Sequence, residues 1–127
     1  LRRGGIERAT GFSLNISNYK WTKDLVAYGK TVSAALGGKP FVIDTSRNGN
    51  GPPQVQGDTE ASWCNPAGRA LGAAPTAETG DPLVHAFLWV KKPGESDGTC
   101  NGGPKAGQWW TEYALGLAQR AKPATAE

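Results

Sequence analysis

The chain has 127 residues, 38% of them hydrophobic and 20% charged, with a formal net charge of +3. This is enough for one domain with a modest core and too apolar for a disordered tail. No apolar run nears the ~18 residues of a membrane helix. The basic residues, among them Arg2, Lys39, Arg69, Lys105 and Lys122, are scattered among acids; membrane and nucleic-acid partners are therefore not expected.

The first element is "GFSLNIS", where Phe12, Leu14 and Ile16 alternate with polar neighbours; this predicts a short strand ending near Ser17. In "TKDLVAYGKTVSAALGG", Leu25, Tyr28, Val32 and Ala35/Leu36 recur at helical spacing, Thr22 is placed to cap the start and Gly37-Gly38 to stop the helix. "PFVID" reads as a buried strand with Pro40 at its first position. A Gly/Pro/Asn/Ser-rich loop from Thr45 to Thr79 follows, with a brief helical signal from Pro66 to Leu71; loops this long are usually functional or disordered. "VHAFLWV" predicts a third strand, and "GQWWTEYALGLAQRA" a closing helix with Trp110, Tyr113, Leu115 and Leu117 available for packing. The order predicts an α/β fold with parallel strands, one side of a barrel rather than a closed one.

Sites in such folds form at the carboxyl ends of the strands, where the strand-to-helix loops emerge. The first strand end delivers Asn15, Ser17, Asn18 and Tyr19, the second Asp44, Ser46, Arg47 and Asn48, and the third Lys91, Glu95 and Asp97. Polar and ionisable groups thus gather on one rim, as a polar-substrate enzyme requires. Carboxylates among indoles suggest carbohydrate, because sugar rings offer C–H faces to tryptophan and hydroxyls to polar side chains. Trp63, in the polar "ASWCNP", is the candidate stacking platform, while Trp89 and Trp110 are expected in the core. His85 lies inside a strand, so it is expected to be packed or paired rather than catalytic.

Cys64 and Cys100 are the only cysteines, and no second CxxC or His pair completes a metal site. A bridge between them fits an oxidising, secreted setting and would restrict the unfolded chain by about 4 kcal/mol; two buried thiols are the alternative. The sequence contains no methionine and starts at Leu1, so the chain is expected to be a processed piece or part of something longer.

The segments "LNISNYKW", "FVIDTSRNGNGP", "WCNPAGRALG" and "TGDPLVHAFLWVKKPGESDGTCNGG", with the final helix, resemble the C-terminal part of glycoside hydrolase family 6, a family of endoglucanases and cellobiohydrolases. The resemblance runs from about Gly11 to Ala121. It implies a C-terminal portion of a distorted, TIM-like α/β barrel for residues 1–121, with 122–127 as a tail or linker. It also implies secreted, inverting hydrolysis of β-1,4-glucosidic bonds in cellulose, β-glucan or cello-oligosaccharides, which needs an acid and a base about 6.5–9.5 Å apart.

By the resemblance, Asp97 matches the proposed base, acting directly or through water, and Arg47 and Lys91 are its charge partners. Lys91, Glu95, Asn18 and Trp63 match sugar-contacting positions. Asp44 is expected to organise the loop and Arg47, and Cys64 and Cys100 match a family disulfide joining the Trp63 and Asp97 loops. His85 stands where relatives are expected to carry an acid. No cofactor is implied, since water and two carboxyls suffice. The family's general acid belongs to an N-terminal portion not represented here, so the isolated chain is expected to be inactive without that partner. A short, polar loop from Asn48 to Ala61 favours an open, endo-type cleft. The alternatives are a non-catalytic glucan-binding piece and a structural piece without sugar contact.

Overall fold

The computed structural model describes residues 1–122. Three parallel strands, β1 (Phe12–Leu14), β2 (Phe41–Asp44) and β3 (Val84–Leu88), form one sheet with β2 in the centre. Helix α1 (Thr22–Ala35) connects β1 to β2, a single turn α2 (Glu60–Trp63) lies in the long loop, and α3 (Thr111–Gln119) closes the described chain. The α/β class and parallel strands are as expected; of the expected tail at 122–127, residues 123–127 lie outside the described residues.

One face of the sheet makes the core. Phe12, Phe41, Ile43 and Val84 pack with Leu25 of α1, and Phe12 and Phe41 stack with ring centroids 5.1 Å apart. Strand alternation sends Ser13 and Val42 to the opposite face, and a register shift after Val84 pairs Ala86 with Val42 there; none of the three is fully buried. Parallel sheets normally have both faces covered, and here α1 covers one.

The strand ends differ from expectation at β1. It stops at Leu14 because Asn15 (φ 67°) and Ser17 (φ 61°) are left-handed, and Ile16 is left exposed. Asn15 is suited to that backbone, and its amide donates to the Asp44 carbonyl at 2.9 Å, curling the turn over the end of β2.

Helix α1 has the expected limits, and Leu25, Val32 and Leu36 of the expected stripe face the core, but Tyr28 does not. The buried residues of the helix are Thr22, Leu25, Gly29 and Ser33, while Tyr28 is 59% exposed. Thr22 sits inside the helix rather than capping it, and its hydroxyl accepts from Asn48 Nδ2 at 3.0 Å. Gly37 and Gly38 take the left-handed φ values of 73° and 91° that end the helix.

Gly29 sets the approach of α1 to β2, since a Cβ there would lie 2.3 Å from the Phe41 ring. Gly29→Ala should therefore lower the urea midpoint. Overpacking of about 1–3 kcal/mol outweighs the roughly 1 kcal/mol that alanine gains in helix propensity. A raised midpoint would show that the helix, not its packing, limits stability.

The loop from Thr45 folds back along β2. The Gly49 N–H donates to the Ala70 carbonyl and the Gly72 N–H to the Thr45 carbonyl, both at 3.0 Å, and the Thr45 hydroxyl donates to Ala73 at 2.7 Å. The helical signal at Pro66–Leu71 is not realised; the turn forms at Glu60–Trp63 instead. Backbone pairing of Ala70 with Asn48, and donation from Leu71 N–H to Leu117, hold that stretch extended. Helix α3 buries Tyr113 and Leu117 but leaves Leu115 55% exposed. The Tyr113 hydroxyl donates to Pro66 at 2.7 Å, fixing the same loop.

Candidate active site

The rim at the carboxyl ends of β1, β2 and β3 is tied together by Asp44. Fully buried, its carboxylate accepts backbone N–H groups from Ser17 (2.9 Å), Ser46 (2.9 Å) and Lys91 (3.1 Å). These donors follow the three different strands, so one side chain registers all three loops. Arg47 does not bond Asp44 directly but donates to the Ser17 carbonyl at 2.8 Å, in the turn whose N–H Asp44 accepts.

Asp97 is held just beyond this hub. Its Oδ2 accepts from Arg47 Nη1 at 2.7 Å and from the Asn65 N–H at 2.9 Å, and it lies 3.1 Å from the Tyr19 hydroxyl. Its Oδ1 faces Lys91 Nζ at 3.6 Å. Burial pushes the Asp97 carboxyl up, but the Arg47 hydrogen bond and charge, the Asn65 N–H and the Lys91 charge outweigh it and hold the group below the usual carboxylate range. Arg47 is itself fully buried, with its guanidinium 4.6 Å from the centre of the Tyr19 ring. Burial pulls its pKa down, and the hydrogen bond to Asp97 with the neighbouring Tyr19 more than restores it. The result is an anchored, ionised carboxylate with Oδ2 held by Arg47 and the Asn65 N–H and, among the described residues, Oδ1 facing one cation.

Asn65 has no prominent signal in the sequence, yet it clamps the Asp97 loop. Its side-chain oxygen accepts the Asp97 N–H at 2.9 Å, and its amide donates to Gly98 (2.9 Å) and Cys100 (3.1 Å). It sits at φ 48°, a left-handed conformation that asparagine tolerates. Cys64 and Cys100 form a disulfide beside it, joining the segment after Trp63 to the segment after Asp97.

The candidate sugar contacts are less tightly held. Trp63 is 50% exposed in α2, as a stacking platform requires, and its carbonyl accepts from the Tyr19 hydroxyl at 2.9 Å. Glu95 is half-buried, with Lys92 Nζ 3.8 Å away. Asn18 is exposed, and its side-chain oxygen accepts the Tyr19 N–H at 2.8 Å. Of the remaining aromatics, Trp89 and Trp110 are half-buried rather than core. Trp89 donates to the Ala73 carbonyl at 2.9 Å, and Trp110 stacks on Tyr113. His85 is exposed on β3 rather than packed or paired. It lies near the start of β3, whose far end carries the site.

Residues 1–121 match the family described as Glycosyl hydrolases family 6. The chain is 57% identical over 122 residues to Endoglucanase A of Cellulomonas fimi, covering 96% of this chain and 26% of that protein. It is 47% identical to Endoglucanase A of Thermobispora bispora, covering 92% and 24% respectively. Among solved structures, the endoglucanase Cel6 from Mycobacterium tuberculosis, in complex with a thio-linked cellobioside, superposes with a TM-score of 0.87 at 50% identity; the likeness covers 94% of this chain and 40% of that one. The chain thus spans about a quarter of the length of the two endoglucanases.

Proposed function

The chain belongs to glycosyl hydrolase family 6, and we propose from that premise that it forms the base-bearing part of an inverting β-1,4-glucanase. The substrate is cellulose, β-glucan or a cello-oligosaccharide. Asp97 is the base, and Oδ1 is the atom that receives the proton, directly or through water. The observation that carries this is the division of labour between its two oxygens: Oδ2 is met by Arg47 and the Asn65 N–H with the Tyr19 hydroxyl in reach, and Oδ1, among the described residues, by Lys91 alone. Arg47 and Lys91 keep the carboxylate ionised at neutral pH, and Lys91, Glu95, Asn18 and Trp63 bind the sugars.

The acid that protonates the leaving oxygen comes from the part of the related catalytic domain that this chain does not span. Residues 1–121 act as a piece of that domain, with 122–127 as a tail or linker. The names of the most similar relatives favour endoglucanase over cellobiohydrolase action. The Cys64–Cys100 disulfide favours a secreted, extracellular setting.

Proton NMR of cellohexaose tests the proposal. A catalytic domain containing this chain should release the α-anomer first, as inversion requires, while the isolated chain should perturb the sugar signals without forming product. Release of the β-anomer first would overturn inversion. Turnover by the isolated chain would overturn the need for an acid from elsewhere and, with it, the division of the site. Perturbation without product in both samples would favour the second possibility, a non-catalytic glucan-binding piece.

A further inference from the structure

Tyr19 stands between the two ends of the site. It is fully buried, and its hydroxyl lies 2.9 Å from the Trp63 carbonyl and 3.1 Å from Asp97 Oδ2. A phenol has one proton to donate, so these two acceptors compete for it. The charged groups around the pair are Arg47 after β2, which covers the Tyr19 ring and bonds Asp97, and Lys91 after β3, which faces Asp97 Oδ1. Tyr113 of α3 is the other titratable group whose charge bears on Tyr19, and Asn65 donates its backbone N–H to Oδ2.

We propose that Tyr19 is a positioning residue that couples the charge of Asp97 to the Trp63 turn through the direction of its hydroxyl proton. An ionised Asp97 is the stronger acceptor, because a hydrogen bond to a carboxylate is charge-assisted. When Oδ1 takes a proton from water, Oδ2 loses much of its negative charge, and the Trp63 carbonyl becomes the better acceptor. The Tyr19 hydroxyl then rotates from one to the other. Its O–H bond stays intact throughout; the one proton that reaches Asp97 passes from water to Oδ1, while in the proposed reaction the water oxygen bonds the anomeric carbon and the leaving oxygen departs with the acid's proton. Burial pushes the Tyr19 phenol well above its ordinary pKa, so the hydroxyl keeps its proton across the range in which Asp97 titrates.

The consequence for sugar binding rests on the proposed roles of Asp97 and Trp63; the hydroxyl geometry does not. Carbon-13 NMR of the 127-residue chain, following the Asp97 carboxyl and Tyr19 Cζ against pH, reads the two apart. The Tyr19 Cζ signal should inflect at the Asp97 midpoint rather than at a tyrosine midpoint. In Tyr19→Phe the Asp97 midpoint should move to higher pH, because one donor to the carboxylate is gone. An unmoved Asp97 midpoint in that variant overturns the proposal. Should the variant fail to fold, a Tyr19 Cζ signal in the unmodified chain that is flat through the Asp97 titration overturns it equally. Cellotetraose should displace the Asp97 midpoint in the unmodified chain and not in Tyr19→Phe. No response to cellotetraose in either, with the ligand-free inflections present, would remove sugar from Trp63 while leaving the hydroxyl assignment standing.

Discussion

Asp97→Asn, in a catalytic domain that contains the whole chain, is expected to lower kcat on a soluble β-glucan by about 10²–10⁴-fold, the usual share of a positioned acid–base group. Asparagine keeps the shape of the side chain and an acceptor oxygen for Arg47 and the Asn65 N–H, so the loop should stay in place. It cannot take a proton from water at the position of Oδ1. The expected pattern is therefore a fall in kcat with KM within a few-fold of the parent, because Trp63, Asn18 and Glu95 are untouched. Parallel losses in kcat and kcat/KM would mark an interaction made only in the transition state. Turnover close to normal would remove Asp97 from the reaction, and the charge cluster around it would then be structural.

What the sequence reveals about this cluster follows from which signals are local. The three strand ends are legible because each strand is a short apolar run followed by polar residues, and the parallel α/β order places those ends on one rim. Asp44, Arg47, Lys91 and Asp97 can be assembled that way before any coordinates. Asn65 cannot, because its role comes from a left-handed backbone and from bonds to Asp97, Gly98 and Cys100, 32 to 35 residues further along. Tyr19 is visible as a polar residue at a strand end, but its partners, Trp63 and Asp97, lie 44 and 78 residues away.

The misplaced elements have the same origin. Leu25, Val32 and Leu36 of the expected helical stripe do pack on the core, but α1 meets β2 closest at Gly29, which no hydrophobic pattern marks, and Tyr28 is left outside that contact. The Pro66–Leu71 stretch has local helical character that loses to backbone pairing with Gly49 and Leu117. In both cases a long-range contact overrides a local preference.

Arg47→Met should cost the fold about 3–5 kcal/mol at neutral pH, the penalty for breaking a buried ion pair by removing one partner. Arg47 is fully buried and the Asp97 side chain only 9% exposed, so water cannot replace the lost guanidinium. The variant also leaves the Ser17 carbonyl without its Arg47 donor and uncovers the Tyr19 ring. The pH dependence separates these losses. In the parent, the Asp97 pKa is depressed, so its stabilising contribution is fully present above the unfolded carboxylate pKa and is lost as pH falls through the lower, folded value. Without Arg47, burial is no longer outweighed to the same degree, and protonation of Asp97 relieves the buried charge. The gap between parent and variant in urea unfolding should accordingly be widest near neutrality and narrow as the solution is acidified. A gap that stays constant from neutral to acid would mean that the packing and hydrogen bonds of Arg47, rather than its charge opposite Asp97, hold this rim together.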